Sequence, residues 1–542
     1  MLFDDVVIES FTEAIPLPPS SEVTALLTHN LPPSDDIRSA VLAEKQQCEH
    51  FIFLVNSSGH RLDVKHQSSI SVARTETEKL LVDLRSILHP IRSVPDDVLL
   101  DIFALIVDST EASSVSTDTD LWACSRVCQL WRTLILVTPS LWSDVRLDFD
   151  DDVDLKYHIS RAERVLIERL ERSGTQLLDV FVRGPRARPD TNVVLRRLLT
   201  SAARWRSLTV NAGPEVYEMF EKCPEGSLTE LRTLSITDSV YMDGDFDEED
   251  RYTGVVLEAF RSTPKLRRLF LSPLPLLSLS LYPDAVYNNI QEISINLFDQ
   301  LPDVSRLLPA MRALKSLDVL CDEGWDGDDD VVRLPLLSRI TLRGHNDTRH
   351  IPDTWTKLYL PNVTSLQLAY EGIILHPIFP LLDKQNTRIT DFACYIDSFA
   401  DTGYPDFERD LIVMLQSLPN ITNLRLSSRR TTPILLEEIR SRTRFLPALT
   451  DITLLWKIPS YQVPDDDIHL LIDTLHTRAR SATCATVKRI VFELDIALYI
   501  GPTPYAFMWE ELQNSGLEVI ECWEPLSLFC PFGSISHIID RY

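Results

Sequence analysis

From residue 205 onward one pattern of apolar and polar positions keeps returning: apolar, two polar, apolar, any residue, apolar. It reads LRTLSI at 231–236, LRRLFL at 266–271, IQEISI at 290–295, LKSLDV at 314–319 and LSRITL at 337–342. It continues as VTSLQL at 363–368, ITDFAC at 389–394, ITNLRL at 421–426, LTDITL at 449–454 and VKRIVF at 487–492. WRSLTV at 205–210 precedes these copies, and LEVIEC at 517–522 is a weaker last one. One copy carries little, because a chain with 44% apolar residues produces such matches by chance. The spacing carries the argument: from 231 the starts advance by 35, 24, 24, 23, 26, 26, 32, 28, 38 and 30 residues. The alternating end of each copy predicts a short strand with one buried face. Helical patterns such as FERDLIVMLQSL and DDDIHLLIDTLHTRAR lie between copies.

Most of these steps fall at or near the period of roughly 20–29 residues of leucine-rich repeats, whose core is L-x-x-L-x-L. Each unit is expected to pair a strand with a helix and to bury its apolar side only by stacking on its neighbours. The Asn that usually follows the strand is mostly absent, so the array is degenerate. A large α/β domain of another kind is the competing reading. If apolar positions point inward, the residues between and just after them point outward. That rule exposes Arg268, Phe270, Arg339, Arg343, Gln367, Tyr395 and Arg425 on the face that strands of a solenoid offer to partners, with Arg429 and Arg430 on the adjoining loop. These arginines either pair with acids of adjacent strands or grip an acidic or phosphorylated segment through bidentate hydrogen bonds.

The first part of the chain has helical periodicity instead. Residues 1–35, rich in Pro, Ser and acid, are expected to be a poorly ordered lead-in. Asp35 or Asp36 can cap a helix running toward Leu54, and NSSGHR at 56–61 breaks it. TETEKLLVDLRSIL, with Leu80, Leu84 and Ile87 on one face, predicts a second helix ending near His89-Pro90. A third begins at Pro95, where a missing N–H costs nothing; Leu99, Ile102, Phe103 and Ile106 follow on one face. After the polar connector TEASSVSTDTD, Leu121, Cys124, Cys128 and Trp131 are spaced as one helical stripe, and Pro139 ends that stretch. The two cysteines there read as small apolar packing residues, since two ligands are too few for structural zinc and no nearby Cys or His pair completes four.

From about Ile91 to Trp142 this arrangement resembles the F-box family. Val94-Pro95-Asp96-Asp97 stands where the family has Leu-Pro-x-Glu. Leu99, Leu100, Ile102 and Phe103 stand at its first apolar helix. Val127-Cys128-Gln129-Leu130-Trp131 stands at its V-C-x-x-W signature, and Pro139-Ser140-Leu141-Trp142 at the closing P-x-L-W. Val94 and Asp97 depart from the usual Leu and Glu, and the connector at 108–120 is longer than usual. NLPPSDDIRSAVLA, LHPIRSVP and ERSGTQLLDVFV also resemble F-box-like proteins abundant in mushroom-forming fungi. The resemblance implies a substrate receptor that grips a Skp-type adaptor, which links it to a cullin scaffold. It implies Val94, Pro95, Leu99, Leu100, Ile102, Phe103, Val127, Cys128 and Trp131 as the adaptor-binding set.

Composition narrows the alternatives. A net charge of −27 disfavours nucleic acid or an anionic membrane as a general partner. No apolar run approaches the roughly 20 residues of a membrane span; the best, LSPLPLLSLSLY at 271–282, is interrupted by Pro273 and Pro275. Only 15 glycines are present, with no GxxxxGK[ST] or GxGxxG phosphate loop. Nine scattered cysteines and an acidic N-terminus fit a reducing, cytoplasmic or nuclear compartment. The acidic runs DFDDDVD, DGDFDEED and DEGWDGDDD lack calcium-loop spacing and read as solvated loops. Cys48 and His50 read as surface, and no catalytic constellation, metal site or cofactor motif is found.

The expected fold is therefore α/β: a helical F-box followed by a leucine-rich-repeat-like solenoid. The expected segments are a lead-in at 1–35, helices at 36–88, an F-box at 89–147 and the array at 148–542. The expected function is non-enzymatic: the substrate-recognition subunit of a Skp–cullin–F-box ubiquitin ligase, with an unknown protein substrate. The alternatives are a scaffold without ubiquitylation and a receptor that needs a small ligand in the repeat face.

Overall fold

A computed structural model describes residues 21–28, 32–58, 64–109, 113–116, 119–149, 158–184, 192–212, 216, 219–220, 223–224, 226–237, 260, 262–272, 284–297, 308–321, 332–344, 358–370, 388–396, 407–428, 432–442, 444–459, 465–480, 485, 487–495 and 518–521. The architecture is mixed α/β, helical first and then a large parallel sheet. The chain divides into two compact units, residues 1–181 with 193–198, and 182–192 with 199–542.

The first unit opens with α1 (Ser21–Thr28), inside the stretch expected to be poorly ordered. Val23 and Leu26, one turn apart, explain the difference: both are buried against the following helices. Those are α2 (Asp35–Ser58) and α3 (Val64–Ile87), which run back along each other. Val41, Cys48, Leu81, Leu84 and Ile87 form one shared core, and Phe51 and Val55 a second near the link. Cys48, expected on the surface, is buried, and burial pushes its thiol up to about 11. Arg92, in a 3₁₀ turn at Pro90–Ser93, donates 2.7 Å to the carbonyl of Leu26 and so ties α1 to the next segment.

Then come α4 (Asp96–Ser109), α5 (Asp120–Ser125), α6 (Gln129–Val137) and a 3₁₀ turn at Pro139–Trp142. β1 (Asp144–Asp148), α7 (Ile159–Arg172) and β2 (Leu178–Gly184) follow, with β1 and β2 adjacent in the strand order. The first unit thus reaches past residue 147, where the sequence reading ended the helical part. The reason is a stack of rings and guanidinium groups. Arg172 lies 4.8 Å from the ring of Trp122 and 4.6 Å from that of Trp142. Arg169, on the preceding turn, lies 5.6 Å from Trp142 and donates 2.7 Å to the carbonyl of Asp144. Burial pushes the Arg169 guanidinium down to about 10, with Asp144 opposing the shift. The connector after α4 covers β1: the N–H of Ser114 donates to Arg146 O at 2.7 Å, and the Arg146 N–H donates to Ser114 Oγ at 2.8 Å.

α8 (Asn192–Leu199) belongs almost wholly to the first unit, and in the second the repeated motif forms strands throughout. They are β3 (Trp205–Ala212), β4 (Thr233–Thr237), β5 (Arg268–Ser272), β6 (Glu292–Leu297) and β7 (Ser316–Cys321). Next are the short β8 (Val332–Arg333), β9 (Arg339–Gly344), the short β10 (Leu358–Tyr359), β11 (Ser365–Tyr370) and β12 (Asp391–Ile396). The last are β13 (Asn423–Ser428), β14 (Asp451–Pro459), β15 (Arg489–Asp495) and β16 (Glu518–Glu521). From β3 the order follows the sequence to β16, skipping only β8 and β10, which pair with each other. Every pairing from β3 to β16 is parallel. Equivalent motif positions are in register: Ile293 faces Leu317, Leu317 faces Ile340, and Ile340 faces Leu366. These and the alternate Ile295, Val319, Leu342 and Leu368 are buried, so the core is a continuous apolar ladder.

The α-helices among the described residues of this unit are the single turn α9 (Asp284–Tyr287), α10 (Phe407–Gln416), α11 (Pro433–Ser441) and α12 (Asp465–Arg480). The three longer ones sit in the steps of 32, 28 and 38 residues. In the later repeats a polar thread reinforces the ladder. Thr364 and Thr422 donate their hydroxyls to the carbonyls of Ser338 and Thr390 one strand earlier, at 3.3 and 3.2 Å, while Thr390 and Thr450 donate theirs to the carboxylates of Asp391 and Asp451 at 2.7 and 2.6 Å.

Candidate functional site

The helices around α4 share a core of Leu99, Phe103, Leu121, Ile135, Leu141 and Trp142. Phe103 meets Trp131 edge-on at 5.1 Å, and the Trp142 indole N–H donates 2.8 Å to Ile135 O. Of the residues assigned to adaptor binding, Leu99 and Phe103 are therefore interior, and Val94, Leu100 and Trp131 are half-buried against that interior. Pro95 is exposed, and its carbonyl accepts the N–H of Leu99 as α4 starts. Ile102 and Val127 are exposed.

The stripe Leu121–Cys124–Cys128–Trp131 does not lie on one helix. The chain turns after α5, where the Val127 N–H bonds Cys124 O, and Cys128 takes an extended conformation as N-cap of α6. Its Sγ accepts the N–H of Trp131 at 3.4 Å, so this cysteine starts a helix rather than lining one. Burial raises the Cys124 thiol, with Asp120 adding to it. Among the described residues no group of three or more His, Cys, Asp and Glu could hold a metal ion, and no helix is long and apolar enough to cross a membrane.

Sequence reading missed the outer face of α4. Val98, Ile102 and Leu105 sit at i, i+4 and i+7, and all three are exposed, Leu105 to 67%. Val127, 59% exposed, is a fourth bare apolar residue in this segment. The signal was present: a helix apolar at 98, 99, 100, 102, 103, 105, 106 and 107 has more apolar surface than one core-facing stripe needs.

Residues 91–148 match the model of the F-box-like family. The chain carries an F-box-like domain. Such a domain is a protein–protein interaction module, typically a non-catalytic one that binds a Skp-type adaptor. No curated protein matches the chain.

On the sheet, the outward positions pair largely with one another. Arg268 and Arg339 approach Glu292 at 3.8 and 3.9 Å, beyond hydrogen-bonding distance. Arg343 forms an ion pair with Asp318, whose Oδ2 also accepts the Ser294 hydroxyl at 2.9 Å. Gln367 and Arg425 flank Ala393, and Tyr395 follows two residues along the same strand. Phe270, Gln367 and Tyr395 are half-buried, and Arg425 is exposed. Arg429 and Arg430 lie outside the described residues, as do the runs at 243–250 and 322–330 and residues 150–154.

Proposed function

We propose that the chain is the substrate-recognition subunit of a Skp–cullin–F-box ubiquitin ligase. The outer face of α4 and Val127 take the adaptor, and the outward face of the repeat strands takes a protein substrate. The observation that carries this is the bare apolar row Val98, Ile102 and Leu105 on a helix whose opposite face already fills the domain core. Exposed apolar rows on a folded domain mark interaction surfaces. Leu99, Phe103 and Trp131 serve binding by holding α4 in place, and Ile102 and Val127 by contact. Ubiquitin chemistry belongs to the partners; this chain raises the effective concentration of an acceptor lysine near them.

Capture of a Skp-type adaptor by purified chain tests the reading. Ile102→Asp with Leu105→Asp should abolish capture while the circular dichroism spectrum and melting temperature stay those of the parent. Undiminished capture by that folded double variant overturns the assignment of the surface. Absence of adaptor and cullin from the parent's co-purified proteins overturns the ligase reading.

A further inference from the structure

The outward face of a strand is where water is expected, yet Ser294, Ser316, Asp318 and Thr341 are buried there, Asp318 to 3% residual exposure. An ionised carboxylate offers about four acceptor positions. Asp318 uses one oxygen twice: Oδ2 accepts from Ser294 Oγ and from Arg343. Its Oδ1 is equally buried and has no hydrogen-bond partner among the described residues. A buried acceptor left unsatisfied carries its full desolvation cost, and burial accordingly raises the Asp318 carboxyl above its ordinary value, with Arg343 and Ser294 opposing. A ligand that donates a hydrogen bond to Oδ1 would relieve that cost.

The charges nearby narrow what such a donor is. Arg268, Arg339 and Arg343 face two carboxylates, Glu292 and Asp318, on β5 to β9. Among the described residues of this network, three cations against two anions leave one positive charge over. A cationic donor would add to that excess, whereas a neutral N–H would not. The excess itself calls for one further anion. Arg339 is well placed to meet it, being exposed and held to Glu292 only at 3.9 Å, which leaves its donors unspent. A neutral N–H and a carboxylate side by side are what the end of a polypeptide presents.

We infer that this patch captures the free C-terminus of a protein segment, its last backbone N–H donating to Asp318 Oδ1 and its terminal carboxylate accepting from Arg339. The inference rests on the reading of the repeat face as the substrate surface and names the substrate class. Capture of a chain end by fixed donors is a recurring mode of peptide recognition, and Arg suits a planar carboxylate through paired N–H groups. Because Oδ1 is sealed from solvent, binding requires the groups over it to move.

The test uses the immobilised full chain and two pools of short randomised peptides, alike except that one ends in a free carboxylate and the other in a carboxamide. The free-carboxylate pool should be retained about tenfold more strongly, the scale expected of one charge-assisted hydrogen bond. Arg339→Gln, an exposed change, should erase the preference, whereas Asp318→Asn should lower the retention of both pools. Glu78→Gln, a charge change on α3, should do neither. Equal retention of both pools, or a preference that survives Arg339→Gln, overturns the inference. Adaptor capture is read on the same preparations. Its loss with the peptide preference kept sinks the ligase reading alone, and the reverse result sinks only the site.

Discussion

The F-box-like domain and the repeat sheet each bury one apolar face, but they finish the other face in opposite ways. α4 leaves Val98, Ile102 and Leu105 bare. The strands of the sheet cover themselves with a polar lattice: Glu292 stands near both Arg268 and Arg339, the Asn423 amide bonds the Asp391 carboxylate, and Thr450 bonds Asp451. A bare apolar row gains from any shape-matched apolar partner, because burial is non-directional. A polar lattice yields only to a partner that replaces each bond it breaks. The first arrangement suits one constant partner, and the second suits selection among many.

Four measurements can break or sharpen that contrast. The largest effect belongs to the inner face of α4: Phe103→Ala should cost about 3–5 kcal/mol as a buried aromatic deletion. Leu105→Ala on the outer face should stay within about 0.5 kcal/mol. Thermal unfolding followed by circular dichroism separates them, and similar costs would mean that α4 does not have the two faces described. Next comes Arg172→Ala, which removes a guanidinium stacked on two tryptophans; a loss of about 1–2 kcal/mol is expected in the same assay. Arg425→Ala on the sheet should change nothing measurable, and a comparable loss there would give Arg425 a structural role.

Smaller still, Thr422→Val removes one hydroxyl of the thread along β11 to β14 and should cost about 1 kcal/mol in a denaturant titration. No loss would assign the order of the later repeats to the apolar ladder alone. The last contrast is one of pH. Asp318 has a raised folded-state value because of burial. Its contribution to stability is therefore fully present below the ordinary carboxylate range and is lost as pH rises through the raised value. Asp318→Asn should lack that decline, so its stability relative to the parent should climb across this window and then level off. A difference running the other way would show that the ion pair with Arg343 outweighs the burial.

The parallel ladder was legible in the sequence because each strand repeats one six-residue pattern and a two-residue period fixes which side chains turn inward. Ile293, Leu317 and Ile340 could be placed from spacing alone. The helical interior of the F-box segment was legible for the same reason, through Leu99 and Phe103. What escaped notice depends on neighbours distant in sequence. The break between α5 and α6 has no Gly or Pro to announce it; it shows only in Cys128 turning extended to cap a helix. Nothing in the sequence near Arg169 and Arg172 announces Trp122 and Trp142, which only the fold brings under them. Alternation marked Asp318 as outward-facing, yet it carries no sign that an outward position is covered. For Arg343 the sequence left open pairing with an adjacent strand or binding a partner, and the structure pairs it with Asp318, 25 residues earlier. Pattern reports which way a side chain points, not what lies over it.

The long connector after α4 bears on a hazard that every open sheet carries. β1 comes first in the strand order, and a terminal strand with bare N–H and C=O groups is a template for another chain. Ser114 occupies that template at Arg146, accepting its N–H and donating to its carbonyl. A neighbouring molecule that sought to extend the sheet from this side would first have to evict it. The extra residues that distinguish this F-box segment thus act as a stopper, keeping a molecule made of stackable repeats from stacking onto its own kind.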